Sequence, residues 1–434
     1  MALTPEGIFF LLAFCVSSVV SSSSAGSQSC RSFTSMFTLG DSYIDTGNFV
    51  IMAAPVIPVW IDKPPYGITF FGRPTGRTGD GRAIIDFMAE AFDIPFLPAS
   101  LANSSDVSRG VNFAVGGATA IDVSFFERNK LVPFKLLNSS LDVQLGWLED
   151  LRPSLCNATE RSCGECFSKS LFFVGEFGVN DYTFTWMANK TKSEVMAFVP
   201  KVVRTIASAV ERLIVRDGAA HVVVPGNPPI GCSPSLLTLL RTSPSAAEYD
   251  RIGCLRGVND VARHHNALLH AAVDGLRAKH PKATIIFADF YTPIRRILEN
   301  PSQFGVVNDV LKACCGTGGA YNWNASAVCG MPGGAACANP SVYVNWDGVH
   351  FTEAVYRYIA EGWLYGPYAD PPILKATRPC LPYNYDVICS KTGSLIQKQE
   401  QDGYEHHTRL PDDYPKIALA IQDGSTARVF DGSG

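Results

Sequence analysis

The chain has 434 residues, of which 47% are hydrophobic and 18% charged, a composition typical of globular proteins that bury a large core. A formal net charge of −4, without a run of Lys or Arg, argues against nucleic acids and anionic membranes as partners. After the N-terminal segment, no stretch is long and apolar enough to predict a transmembrane helix.

The N-terminal segment resembles a cleaved secretory signal. Residues 8–20 are apolar, and the small residues after them lead to Ala25, where we expect cleavage. The segment departs from the usual pattern because no Lys or Arg precedes the apolar run, which is nevertheless too short for a membrane anchor. We therefore expect residues 1–25 to be a signal peptide, and the mature protein to be secreted without stable insertion in a membrane.

The cysteines and the glycosylation sequons are typical of an oxidising compartment. Twelve of the 13 cysteines remain after removal of Cys15, an even number that favours paired disulfides. Cys163 and Cys166 could instead bind zinc, but no histidine lies near them, so we expect disulfides and no metal. Five Asn-x-Ser/Thr sequons predict N-glycosylation: Asn103, Asn138, Asn157, Asn189 and Asn324.

Short apolar runs alternate with helical patterns along the chain. Strands are predicted at residues 35–39, 111–115, 171–174, 221–224 and 284–288. Helices are predicted at residues 82–92, 141–151, 193–215, 246–279 and 352–365. This alternation predicts one α/β domain, a three-layer α/β/α sandwich with a central parallel sheet, over residues 26–389. The polar segment 390–434 is predicted to be a disordered tail.

The most informative stretch follows the first predicted strand and reads Gly-Asp-Ser at residues 40–42. The apolar run stops at Gly40, so Ser42 would lie at the carboxyl end of a buried strand, where ligands bind in open α/β sheets. A serine hydroxyl becomes a good nucleophile only when a nearby base takes its proton. The alternative is that Ser42 caps a helix beginning at Tyr43.

A candidate base lies in the sequence Trp-Asp-Gly-Val-His-Phe at residues 346–351. At a spacing of three residues, Asp347 can hydrogen-bond one imidazole nitrogen of His350 and leave the other free to accept the proton of Ser42. Alternatively, Asp347 only forms a turn before Gly348. The neighbouring His264 and His265 have no such acid, and we expect both on the surface of a helix.

The Gly-Asp-Ser sequence and the late Asp-x-x-His resemble two blocks of the GDSL (SGNH) esterase/lipase family, especially its secreted plant branch. Residues 110–118 (Gly-Val-Asn-Phe-Ala-Val-Gly-Gly-Ala) resemble the second block of the family, whose glycine amide donates to an oxyanion. Residues 178–182 (Gly-Val-Asn-Asp-Tyr) resemble the third block, whose asparagine is another donor. The four blocks occur in the family's order, between Phe37 and about Tyr368.

The resemblance implies a flavodoxin-like strand order and assigns roles to individual residues. Ser42 would be the nucleophile, His350 the base and Asp347 the residue that orients it. The amides of Ser42 and Gly117 and the side chain of Asn180 would form the oxyanion hole. For the glycine donor, the neighbouring Gly116 remains an alternative.

The sequence therefore predicts a secreted, cofactor-independent serine hydrolase of small-molecule or lipid carboxylic esters. We expect a monomer in the extracellular space, the cell wall or the vacuole. An acyltransferase that uses the same acyl-enzyme is one alternative, and a catalytically silent secreted glycoprotein that binds a ligand is another. The aromatic, Pro-rich segment 59–71 is expected to line the substrate cleft, although it does not indicate which ester is bound.

Overall fold

The computed structural model describes residues 33–103, 106–132, 136–156, 167–240 and 249–377. The predicted signal peptide, the predicted tail, Asn157, Cys163 and Cys166 lie outside these ranges. Within the described ranges, no helix is both long enough and apolar enough to cross a membrane.

A six-stranded sheet forms the centre of the domain, in the order β2-β1-β3-β4-β5-β8. Its strands are β1 (Ser35–Leu39), β2 (Gly110–Asn112), β3 (Ser170–Val174), β4 (His221–Pro225), β5 (Thr284–Ala288) and β8 (Ala369–Asp370). The first five are parallel, and β8 is antiparallel to β5. The predicted α/β fold is confirmed, and the order of the parallel strands is flavodoxin-like. The antiparallel edge strand was not predicted, because two residues are too few to show a pattern.

Helices cover the sheet in two groups. The helices of the described residues are α1 (Asn48–Ala53), α2 (Ile84–Ala91), α3 (Val123–Arg128), α4 (Leu141–Leu155), α5 (Val179–Met187), α6 (Lys192–Asp217), α7 (Pro234–Leu239), α8 (Arg256–Lys279), α9 (Tyr291–Glu299), α10 (Glu353–Tyr365) and α11 (Ile373–Thr377). Helix α6 packs against α4 and α8, whereas α10 packs against α2 and α9. These two groups form the outer layers of the sandwich.

Helix α8 begins ten residues later than the sequence pattern predicts. The Asp250 carboxylate accepts hydrogen bonds from the backbone amides of Ile252, Gly253 and Cys254, and these bonds hold a turn in place of a helix. A disulfide between Cys232 and Cys254 fixes the same turn to the segment after β4.

Disulfides also hold the Cys-rich segment 314–337. Their presence agrees with the paired disulfides predicted from the even number of cysteines. Bridges join Cys314 to Cys337 and Cys315 to Cys329. The segment contains a small antiparallel pair of strands, β6 (Cys315–Gly316) and β7 (Ala335–Ala336). Cys156 is disulfide-bonded as well. We refer to residues 314–337 as the disulfide loop.

The strand order brings three loops together at the carboxyl edge of the sheet. Strand β1 lies between β2 and β3, so the segments after these three strands meet where the chain changes direction across the sheet. The Gln144 side chain fixes the exit of β1, because it accepts from the Gly40 amide at 2.9 Å and donates to the Gly40 carbonyl at 2.8 Å. The candidate site lies at this edge.

Candidate active site

Three side chains from distant parts of the sequence form a hydrogen-bonded chain. The Oγ of Ser42 lies 2.9 Å from Nε2 of His350, and Nδ1 of His350 lies 2.8 Å from Oδ2 of Asp347. All three residues are buried. This is the arrangement of a nucleophile, a general base and a carboxylate that orients the base.

The turn that carries Asp347 and His350 is built around the carboxylate. Oδ1 of Asp347 accepts from the backbone amides of Val349 and His350, at 3.0 and 2.9 Å, while Oδ2 accepts from the Tyr66 hydroxyl at 2.9 Å. Burial alone would raise the pKa of Asp347, but the charge of His350 and the hydrogen bonds from His350 and Val349 hold that pKa below its usual value. Asp347 therefore stays ionised beside the imidazole.

The disulfide loop supports this turn from outside. The amides of Cys314 and Cys315 donate to the carbonyls of Asn345 and Trp346, at 2.9 and 2.7 Å. Gly348 has a φ of +100°, and a Cβ atom there would lie 2.2 Å from the Trp323 ring. The turn between Asp347 and His350 thus requires glycine both for its backbone conformation and for the close approach of Trp323.

Ser42 lies in a turn after β1 and not at the start of a helix. The Tyr43 amide donates to Oδ1 of Asp41 at 3.0 Å, and the Thr78 hydroxyl donates to the Ser42 carbonyl at 2.7 Å. The next helix begins only at Asn48, so the helix-capping interpretation of Ser42 is wrong.

Asp45 distinguishes the two candidate glycine donors. The Gly116 amide donates to Oδ2 of Asp45 at 2.7 Å, so this amide is already paired. Among the described residues, no acceptor is recorded for the amide of Gly117 or for that of Ser42. Gly117 has a φ of +90°, which favours glycine at this position. The geometry therefore favours Gly117 over Gly116 as a backbone donor.

Asn180 connects the loops that follow β1 and β2. It lies in the first turn of α5, and its Nδ2 donates to Oδ2 of Asp41 at 3.1 Å and to the Ala118 carbonyl at 2.9 Å. The next residue, Asp181, accepts from the amides of Ala120 and Ile121 at 2.8 and 2.9 Å. Helix α5 thereby holds the Gly117 loop beside Ser42.

The loops around Ser42 also bury four carboxyl groups. Burial raises the pKa of Asp41 and of Asp181 to about 7, and that of Asp45 to about 6. Burial, together with the nearby Asp41 charge, raises the pKa of Glu176 well above its usual value. Among the described residues, no ion pair to a Lys or Arg is recorded for these four groups.

Comparison with known proteins shows the family of this chain. The sequence model described as GDSL-like Lipase/Acylhydrolase matches residues 36–363. This chain belongs to the GDSL esterase/lipase family. A GDSL esterase/lipase of Arabidopsis thaliana is 43% identical over 364 residues, covering 83% of this chain and 89% of the relative. A sinapine esterase of Brassica napus is 41% identical over 365 residues, covering 83% of this chain and 92% of the relative.

A solved phospholipase A1 from Streptomyces albidoflavus is also similar, at 15% identity, covering 67% of this chain and 91% of that chain with a TM-score of 0.30. Because a TM-score this low does not establish a shared fold, the α/β fold is assigned from the strand order of the sheet. Family membership makes the protein a carboxylic ester hydrolase of the GDSL type, as the sequence predicted.

Two residues that sequence reasoning missed lie at the site of this GDSL enzyme. Tyr66, which contacts Asp347, belongs to the segment 59–71 that we predicted to line the substrate cleft. Its neighbours Phe70 and Phe71 instead pack with Phe96 in a separate aromatic cluster. Glu176, which follows β3, had no recognised motif to mark it, although a buried acid directly after an apolar strand was a usable signal.

His265 corrects a further expectation. It is fully buried in α8, and its Nδ1 lies 2.8 Å from the Tyr182 hydroxyl, whereas its neighbour His264 is exposed as predicted. The helical period explains the difference, since adjacent residues of a helix face different directions.

Four of the five predicted glycosylation sites lie in the described ranges. Asn103, Asn138, Asn189 and Asn324 are all exposed, as an oligosaccharide acceptor must be. Within the described ranges, no group of three or more His, Cys, Asp and Glu side chains could hold a metal ion.

Proposed function

We propose that this GDSL enzyme is a secreted serine esterase that works through Ser42, His350 and Asp347 and through an acyl-enzyme. The observation that carries the proposal is the continuous hydrogen-bonded chain from Ser42 through His350 to Asp347. A buried histidine placed between a serine hydroxyl and an ionised carboxylate has the geometry that proton transfer from serine requires.

The reaction proceeds in two half-reactions. His350 takes the proton of Ser42 as the serine oxygen attacks the ester carbonyl, and the resulting imidazolium lies against the Asp347 carboxylate. His350 then protonates the leaving alcohol, which leaves an ester between the acyl group and Ser42. Water, deprotonated by His350, attacks this acyl-enzyme, and the acid and free Ser42 are released.

The tetrahedral oxyanion of each half-reaction binds between the loops that follow β1, β2 and β3. The Ser42 and Gly117 amides supply two donors that have no recorded acceptor among the described residues. The Asn180 side chain supplies the third donor. Its Nδ2 hydrogen that points to Asp41, at 3.1 Å, is held less closely than the one that points to the Ala118 carbonyl, at 2.9 Å. Such donors act most strongly where negative charge develops during the reaction.

Hydrolysis of p-nitrophenyl acetate and butyrate by the purified protein tests this function. We expect turnover by the wild type and none above background by Ser42→Ala or by His350→Ala. Ser124→Ala, in the first turn of the surface helix α3, is the matched serine control and should keep wild-type activity. Equal turnover by wild type and Ser42→Ala would exclude Ser42 as the nucleophile. Transfer of the acyl group to an added alcohol would favour the acyltransferase alternative.

Secretion rests on the N-terminal signal-like segment and is supported by the disulfides and the exposed sequons. Expression in plant cells should give a protein in the medium whose N-terminal residue is Gly26 and whose mass falls on treatment with an N-glycosidase. Retention in the cytosol with Met1 intact would contradict secretion.

A further inference from the structure

Asp41 and Glu176 form a buried pair of carboxyl groups beneath the candidate oxyanion site. Asp41 precedes Ser42 directly, whereas Glu176 follows β3, and both are shielded from solvent. Strands β1 and β3 are in register up to Leu39 and Val174, so Asp41 and Glu176 follow neighbouring strands at matching positions, where their carboxyl groups interact. Ionised carboxylates only accept hydrogen bonds, so a bond between these two requires a proton on one of them.

The other partners of the pair identify where that proton lies. Oε1 of Glu176 accepts from the Asn227 side chain. The backbone of Asn227 is held by the Asn266 side chain, which accepts from the Asn227 amide at 2.7 Å and donates to the Asn227 carbonyl at 3.1 Å. Oε2 of Glu176 is buried and has no hydrogen-bond donor among the described residues. A proton between Oε2 and the Asp41 carboxyl supplies the missing hydrogen bond.

The charges around the pair disfavour its full ionisation. Asp45, in the loop after β1, acts on Asp41, and Asp181 of α5 acts on Glu176, each with a negative charge when ionised. The buried phenol of Tyr356, in α10, interacts electrostatically with Asp41. His350 is hydrogen-bonded to Ser42, the residue after Asp41. From α8, His265 approaches Gly178 and is hydrogen-bonded to Tyr182.

Asp41 also contacts the oxyanion donor. Its Oδ2 accepts from Nδ2 of Asn180 at 3.1 Å and so orients the side-chain amide that we assign to the oxyanion hole. A second negative charge on the pair would lie beside the developing oxyanion and would attract the Asn180 hydrogen away from it. One shared proton limits the pair to a single charge and preserves the acceptor for Asn180.

We propose that Glu176 is a positioning residue, which shares one proton with Asp41 so that Asn180 is held for oxyanion binding, and that loss of this proton at alkaline pH lowers activity. The inference rests on the proposed function, since it concerns the oxyanion donor of that mechanism. Burial raises the pKa values of both groups, which agrees with retention of the proton near neutral pH.

Glu176→Gln tests the proposal, because glutamine donates permanently to Asp41 and still accepts from Asn227. We expect kcat for ester hydrolysis to fall at alkaline pH in the wild type, and the ratio of mutant to wild-type kcat to rise by roughly tenfold between pH 6 and pH 9. Glu127→Gln, at an exposed position of α3, should give a constant ratio. A constant ratio for Glu176→Gln would overturn the proposal, as would a wild-type kcat that does not fall.

Asp41→Asn is the second variant, should Glu176→Gln fail to fold. It removes the charge of the pair but presents an amide group to Asn180 or Glu176, so we expect kcat to fall by about tenfold or more at every pH while KM changes little. An unchanged kcat would overturn the orienting role of Asp41.

Infrared spectroscopy supplies a readout that does not depend on hydrolysis. At pH 6 the C=O band of buried protonated carboxyls should be weaker in Glu176→Gln than in the wild type by one carboxyl, because Asp45 and Asp181 contribute equally to both proteins. An equal band intensity in the wild type and in Glu176→Gln would overturn the shared proton. If the band behaves as expected but the wild type hydrolyses no ester, the proposed function fails and the proton pair stands.

Discussion

At the scale of single residues, the candidate site depends on how Asp347 is held. Its carboxylate accepts four hydrogen bonds, two at each oxygen, from Val349, His350 and Tyr66. The donors come from its own turn and from the segment between α1 and α2. Because both oxygens are occupied, the carboxylate cannot rotate away from the imidazole without losing several hydrogen bonds. Tyr66 thus contributes to the orientation of His350, although it contacts only Asp347.

Removal of the Tyr66 hydroxyl tests this role. Tyr66→Phe should lower kcat/KM by about tenfold, because one hydrogen bond to a buried charged group is lost while the ring is kept. Tyr321→Phe is the matched control, since that tyrosine is half-buried and lies away from Asp347 in the disulfide loop. Equal losses in the two variants would contradict a specific role for Tyr66.

The assignment of Asn180 to the oxyanion hole predicts a larger loss of activity than that expected for Tyr66→Phe. Asn180→Ala should lower kcat by roughly 10²-fold, since the donor acts mainly on the charge that forms in the transition state. KM should change far less, and circular dichroism should show a folded protein. A kcat equal to that of the wild type would remove Asn180 from the mechanism.

At the scale of elements, the parallel strands and the candidate triad could be predicted because their signals are local. Strands β1 and β5 have the predicted bounds, since a buried parallel strand is a short, continuous apolar run. Strand β2 ends at Asn112, three residues early, because the Asn112 side chain accepts from the Ala114 amide and turns the chain. The roles of Tyr66 and Glu176 depend on contacts between distant segments, which a local pattern does not contain.

The support that the disulfide loop gives to the Asp347 turn predicts a sharp contrast between two glycines. Gly348→Ala should lower activity by about tenfold or more, because the added methyl group meets the Trp323 ring as well as a positive φ. Gly333→Ala carries a similar φ of +88° but meets no atom within 4 Å. It should therefore show only the backbone cost, of about 1 kcal/mol, as a small loss of thermal stability. Equal activity in the two variants would contradict the support by Trp323.

At the scale of the whole molecule, the buried carboxyl groups near Ser42 connect stability to pH. Burial raises the pKa of Asp41 and Asp181 to about 7 and that of Asp45 to about 6, whereas Asp in an unfolded chain titrates near 4. The folded protein binds these protons more tightly than the unfolded chain does. The stability that they contribute is therefore complete below about pH 4 and is lost as the pH rises to about 7.

Thermal unfolding should show this dependence. We expect Tm to fall as the pH is raised from 4.5 to 7.5, and to fall less in Glu176→Gln, which has one buried carboxyl fewer. His221 acts in the opposite direction, because burial lowers its pKa, but it is a single group. A Tm that rises steadily over this range would contradict the burial of these carboxyl groups in the folded protein.

The central claim of the account is that Ser42 carries the acyl group, and covalent labelling tests it most directly. Wild-type protein is treated with an alkyl fluorophosphonate, and the site of modification is mapped by mass spectrometry. We predict a single adduct on Ser42, formed by the wild type and absent from both Ser42→Ala and His350→Ala. An adduct on another residue, or full ester hydrolysis by a wild type that takes no label, would contradict the account.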